Sequence, residues 1–218
     1  MNFLLKTSRL IDALSERIGQ TIIWLVLAAV LISAVNAIVR KAFNTSSNAF
    51  LEIQWYLFAG VFLLGAGYTL LRQGHVKIDV ILGHFSKRTQ IKVEIFGTLF
   101  FLMPFVFAVI HHVWPLVANA YMTNEMSENA GGLIRWPAYA LVPIGFALLG
   151  LQGASELIKR IGFLMGVADD PTKPAQTKTA EEELAEEILK HQVAPEVIQR
   201  VEDAVDMVSD QVKGGERK

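Results

Sequence analysis

The sequence predicts an all-α membrane protein. Its parts are four transmembrane helices, an interfacial amphipathic helix between helices 2 and 3, and a cytoplasmic helical tail. Three observations predict it. Residues 18–39, 53–71, 95–124 and 136–155 contain no Asp, Glu, Lys or Arg. The apolar runs are continuous rather than alternating, which favours helices over barrel strands. Lys and Arg are spread unequally over the connections, as they are in proteins that obey a membrane orientation.

Composition narrows the classes. Of the 218 residues, 52% are hydrophobic and 19% charged, against about 25% charged in an average soluble domain. A disordered or nucleic-acid-binding chain is excluded, and an ordinary soluble enzyme is disfavoured. The net charge of −1 conceals a split. Residues 1–165 carry thirteen Lys/Arg and eight Asp/Glu, whereas residues 166–218 carry seven and thirteen. The two regions are therefore expected in different solvents. With no cysteine, disulfides and thiolate metal sites are ruled out.

Each span is long enough for a bilayer core of about 30 Å, which needs about 20 helical residues. The first is expected over about 18–39. Its run exceeds the 7–15 residues of a signal-peptide core, and Arg40 and Lys41 follow it rather than a cleavage site. Ahead of it, Leu4, Leu5, Ile11 and Leu14 suit an N-terminus lying in the interface. The second span is expected over 51–72. Residues 75–92 then mix apolar Val76, Val80, Ile81 and Phe85 with Lys77, Asp79 and His84, the pattern of a short interfacial helix. The third span, over 95–122, holds Pro104 and Pro115, and the fourth, over 134–157, holds Pro137 and Pro143, all candidates for kinks. A linker is expected over 166–180 and an acidic helical tail over 181–218. In the tail, Val197, Val201, Val205, Val208 and Val212 form a narrow apolar seam.

Orientation follows from the positive charges. The N-terminal segment, the second connection and the end of span four hold ten Lys/Arg, and the first and third connections hold three. Both termini are thus expected in the cytoplasm. Trp24, Trp55, Trp114 and Trp136 lie towards span ends, as interfacial anchors do.

Little chemistry is visible. His111 and His112 are adjacent, so on a helix they diverge by about 100° and cannot both face one haem iron. There is no Gly-rich phosphate loop, nucleophile elbow or metalloprotease motif. No metal or cofactor is expected, and the chain is not expected to be an enzyme. Ionisable residues sit at span boundaries, Glu52 opening span two, Arg72 closing it and Glu156 closing span four, with none at a midplane. Packing material is plentiful instead: Ala29, Ser33 and Ala37 on span one, Gly65 and Gly67 on span two, and Gly150 and Ala154 on span four.

Three stretches carry a family resemblance. Span two reads Glu52-Ile-Gln-Trp-Tyr-Leu-Phe-Ala-Gly-Val-Phe-Leu-Leu-Gly-Ala and leads into His75-Val-Lys-Ile-Asp-Val. The fourth region reads Gly132-Leu-Ile-Arg-Trp-Pro-Ala-Tyr-Ala-Leu-Val-Pro-Ile-Gly and ends at Ser155-Glu156-Leu-Ile-Lys. With four spans, this resembles the small membrane subunit of tripartite ATP-independent periplasmic (TRAP) transporters, the DctQ-like family, over about residues 10–165. The resemblance implies a scaffold subunit in the bacterial inner membrane. It implies as partners a large multi-span subunit that moves as an elevator and a periplasmic solute-binding protein, importing a small organic acid on a sodium gradient. Candidate contacts for the large subunit are Glu52, Arg72, His75 and Asp79. Candidates for docking the binding protein are Glu125, Glu128 and Arg135, and Lys77, Lys87, Arg88 and Trp136 are candidate anchors at the lipid interface. Two other readings fit four apolar spans. A membrane anchor of a respiratory enzyme is opposed by the missing His pair, and a self-sufficient small exporter by the missing midplane charge.

Overall fold

A computed structural model describes residues 2–44, 47–74 and 84–168 of the chain. Among the described residues it is all-helical apart from the connections, with four helices long and apolar enough to cross a membrane. Helix α1 is Asn2–Phe43 and α2 is Asn48–Leu71. Helix α3 is Lys87–Met122 and α4 is Trp136–Leu164.

The helices outrun the apolar stretches that announce them. The first sixteen residues of α1 continue the spanning helix instead of forming a separate interfacial segment. No Gly or Pro interrupts them before Gly19, and Ser8, Asp12 and Ser15 form a polar stripe that meets α4. At 42 residues, α1 is about 63 Å long, twice a hydrocarbon core. Helix α3 likewise begins at Lys87, eight residues before its charge-free run. Residues 87–92, expected in the interfacial segment, are its first turns. The rest of that segment, residues 75–83 with His75, Lys77 and Asp79, lies outside the described residues, as does the tail from 169 onward.

Helix α3 changes register once. Thr98–Leu102 is a π-helical turn in which the Met103 N–H bonds the Thr98 carbonyl, five residues back. Pro104 follows directly. Its ring would press on the carbonyl of residue 100 in a regular α-turn and it has no N–H to offer, so the wider turn relieves both demands. Pro115 and Pro143 sit inside α3 and α4 without ending them.

Helix α4 is the one on which the other three pack: α1 and α2 on one side, α3 on the other, with α1 also packed along α2. Close approach is made with glycine. At Gly145 of α4 an added Cβ would stand 2.6 Å from the Leu63 carbonyl oxygen of α2. At Gly153 it would stand 2.9 Å from Leu102 and Met103 of α3. Among the described residues few apolar side chains are buried, Ala29, Ile91, Val106 and Ala120 being the core, whereas Phe62, Phe107, Trp24 and many others are exposed. Such an inverted surface needs lipid or protein around it. Cohesion comes from backbone proximity and polar ties, as expected where the solvent is as apolar as the side chains.

Candidate functional site

Polar side chains collect at the two ends of the helices. At one end the α3–α4 connection is a small folded hairpin. Met126 and Ile134 form an antiparallel bridge, and the N–H groups of Ser127 and Arg135 bond the carbonyls of Leu133 and Glu125, each at 2.9 Å. Asn124 leaves α3 at φ 49° and Gly131 turns the hairpin at φ 71°, left-handed values that glycine and asparagine tolerate best. The hairpin folds onto the first turns of α2. Asn48 donates to the Ala130 carbonyl at 2.9 Å, and Tyr56 donates to the Ile134 carbonyl at 2.9 Å.

Glu52 is the centre of this arrangement. It is 4% exposed. One carboxylate oxygen accepts the Ser127 hydroxyl and the Asn129 amide, the latter at 2.8 Å; the other accepts the Leu133 N–H at 2.6 Å. Gly132 lets the loop come this close, since a Cβ there would stand 2.5 Å from Ser127 Cβ and 2.8 Å from Glu52 Oε1. A carboxylate with hydrogen-bond donors on both oxygens holds a loop as a fixed object. Beside it lies a pocket of about 320 Å³ bordered by Glu52, Trp55, Tyr56, Arg135 and Tyr139 among others.

The charged residues of the hairpin divide by location. Arg135 pairs with Glu125 at 3.2 Å, and Tyr139 donates to the same carboxylate at 3.4 Å. Glu128 is exposed near the tip. Trp136 meets Tyr121 edge-on at 5.4 Å, over a larger apolar groove of about 630 Å³ between α3 and α4.

At the opposite end, where α1 begins and α4 finishes, a second cluster ties three helices. Ser8 and Ser155 hydroxyls meet at 2.7 Å, Ser155 donates to Asp12 at 2.7 Å, and Ser15 donates to Gln152 at 2.7 Å. Gln152 in turn donates to Asp12 at 2.9 Å. Lys159 bridges Asp12 at 3.2 Å and Glu156. Arg160 pairs with Glu156 and, across to α3, with Glu94 at 2.9 Å. Gln152, Ser155, Glu156 and Arg160 are all buried. Nearby, Arg72 at the end of α2 pairs with Glu16 of α1 at 2.5 Å. Lys87 and Arg88 are exposed at the start of α3.

The structure thus brings Glu52 together with the hairpin, and Glu125 with Arg135. Arg72 lies at the other end from Glu52, bonded to α1. Sequence reading placed Glu156 at a boundary but missed its company of Asp12, Gln152, Lys159, Arg160 and Glu94. The signal was present: Ser8, Asp12, Ser15 on α1 and Gln152, Ser155, Glu156, Lys159 on α4 recur every three or four residues, one polar stripe per helix.

No group of three or more potential metal ligands was found among the described residues. A family model described as "Tripartite ATP-independent periplasmic transporters, DctQ component" matches residues 29–162. Neither a curated relative nor a solved structure matches the chain.

Proposed function

Because the chain belongs to the DctQ family of tripartite ATP-independent periplasmic transporters, and is therefore a multi-pass membrane component of a transporter and not an enzyme, we propose that it is the stationary small permease subunit of a sodium-coupled importer of a small organic acid. It widens and braces a large, elevator-type subunit in the bacterial inner membrane, and no substrate passes through it. The observation that carries this reading is the placement of charge. The middle of every span is free of Asp, Glu, Lys and Arg, while the ionisable groups form internal ties at the two ends. A conduit for an ion or a carboxylate needs polar groups through the middle of the membrane. A brace needs fixed ends and an apolar flank.

In this reading both termini are cytoplasmic and the hairpin is periplasmic. Glu52 and Arg72 serve the large subunit indirectly, by fixing the helix ends that it grips, and His75 and Asp79 meet it directly. The hairpin, with Glu128 exposed and Glu125 and Arg135 at its base, docks the binding protein through charge complementarity. Lys77, Lys87 and Arg88 sit at the anionic inner leaflet, with Trp136 at the outer interface.

Reconstitution tests the proposal. Liposomes holding this chain alone should accumulate no solute under a sodium gradient, and uptake should appear only when the large subunit and the binding protein are added. Uptake by the chain alone would overturn it.

A further inference from the structure

Glu52 is buried, yet among the described residues it makes no ion pair. Its three hydrogen-bond donors are the hydroxyl of Ser127, the amide of Asn129 and the N–H of Leu133, all neutral groups. A carboxylate has about four lone-pair positions, so Oε2, which accepts one bond, keeps room for another. A full negative charge is thereby held at the edge of a pocket whose bordering cation, Arg135, is paired with Glu125 instead. Burial of that kind favours a cationic ligand.

The pocket has further features of an ammonium site. Trp55, Tyr56 and Tyr139 border it, and aromatic rings attract cations through their electron-rich faces. Arg135 also borders it, which supplies a partner for a phosphate next to the ammonium. The lining runs from the hairpin to the span. Ser127 and Asn129 of the hairpin cover Glu52 on the hairpin side. Ala59, two turns along α2 and about 10 Å from Glu52, lies on the same pocket together with Ala138. These small residues lead from the carboxylate into the apolar run of the span. A ligand seated here with a hydrocarbon end would lay that end along the apolar part of α2.

We propose that this pocket binds the headgroup of an ethanolamine phospholipid, with the ammonium on Glu52 and the aromatic side chains and the phosphate on Arg135. Choline lipids carry the same charge but no N–H, and glycerol lipids carry no cation.

Native mass spectrometry of the full chain tests this, using an equimolar mixture of ethanolamine, choline and glycerol phospholipids with identical acyl chains. One ethanolamine lipid should be retained over the glycerol lipid by about tenfold, the value of one charge-assisted hydrogen bond. Glu52→Gln should abolish the preference. Because that change also loosens the hairpin, Ala138→Leu provides a second arm: it fills the pocket beside Ala59 and leaves the carboxylate and its donors in place. Parity of the three lipids in the unmodified chain would overturn the proposal and leave the pocket to a basic side chain of a protein partner. Retention of the choline lipid as strongly as the ethanolamine lipid, or a preference that survives Ala138→Leu, would also overturn it.

Discussion

Gly145 of α4 lies directly against the backbone of α2, and replacing it by alanine tests whether close approach holds the helices together. The new methyl would stand 2.6 Å from the Leu63 carbonyl oxygen and 2.7 Å from Leu63 Cβ, where ordinary contact begins at 3.4 Å. The seam must open by about 0.8 Å, because the obstacle is main chain and cannot rotate away. Overpacking of this sort costs about 1–3 kcal/mol, and alanine returns up to about 1 kcal/mol of helix propensity. The net expectation for Gly145→Ala is a loss of about 1–2 kcal/mol. Two other glycines calibrate it. At Gly150 the nearest atom is a methyl of Val106 at 3.0 Å, a side chain able to give way, and at Gly97 nothing lies within 4 Å. The measurement is loss of helicity and tryptophan fluorescence as a denaturing detergent is titrated into micelles of the full chain. The expected order of destabilisation is Gly145→Ala, then Gly150→Ala, then Gly97→Ala, the last neutral or stabilising. If Gly145→Ala unfolds no earlier than Gly97→Ala, proximity of α2 and α4 is not what secures the fold.

Other perturbations act on the polar ends. Arg160→Ala removes the guanidinium that joins Glu94 of α3 to Glu156 of α4. It should cost about 3 kcal/mol, the low end for breaking a buried pair, measured in the same titration. Gln152→Leu strips Ser15 of its acceptor and Asp12 of a donor, for a loss of about 1–3 kcal/mol. Glu52→Ala should raise amide hydrogen exchange at residues 125–135 while leaving exchange in α4 below Gly145 unchanged; uniform acceleration would show that the carboxylate supports more than the hairpin.

The spans were legible because lipid imposes one rule that composition displays openly: a charge-free run of sufficient length. The extensions of α1 and α3 were not, because Lys6, Arg9 and Asp12, or Lys87, Arg88 and Glu94, break that run without breaking the helix. What keeps residues 2–17 in register with the span is pairing with α4, a contact between residues up to 147 positions apart. The π-turn before Pro104 follows from a local conflict that a kink would also have resolved. Glu52 was marked by its position as the acid that opens span two. Its partners were hidden in a loop whose shape depends on two left-handed residues, Asn124 and Gly131, and on the bare Cα of Gly132. Glu125 and Arg135 stand together among the candidates for docking the binding protein, and the structure pairs them with each other.

The dominance of α4 in the packing has a consequence for biosynthesis. Ribosomes deliver the chain from its N-terminus, and α4 is the last of the spans to emerge. Until it does, α1 and α2 have each other, α3 lacks its packing on α4, and the ties of Lys159 to Asp12 and of Arg160 to Glu94 are not yet made. Assembly of these four helices is thus held open until α4 leaves the translocon, and a chain truncated before Trp136 keeps the α1–α2 pair but has nothing of α4 to join α3 to it.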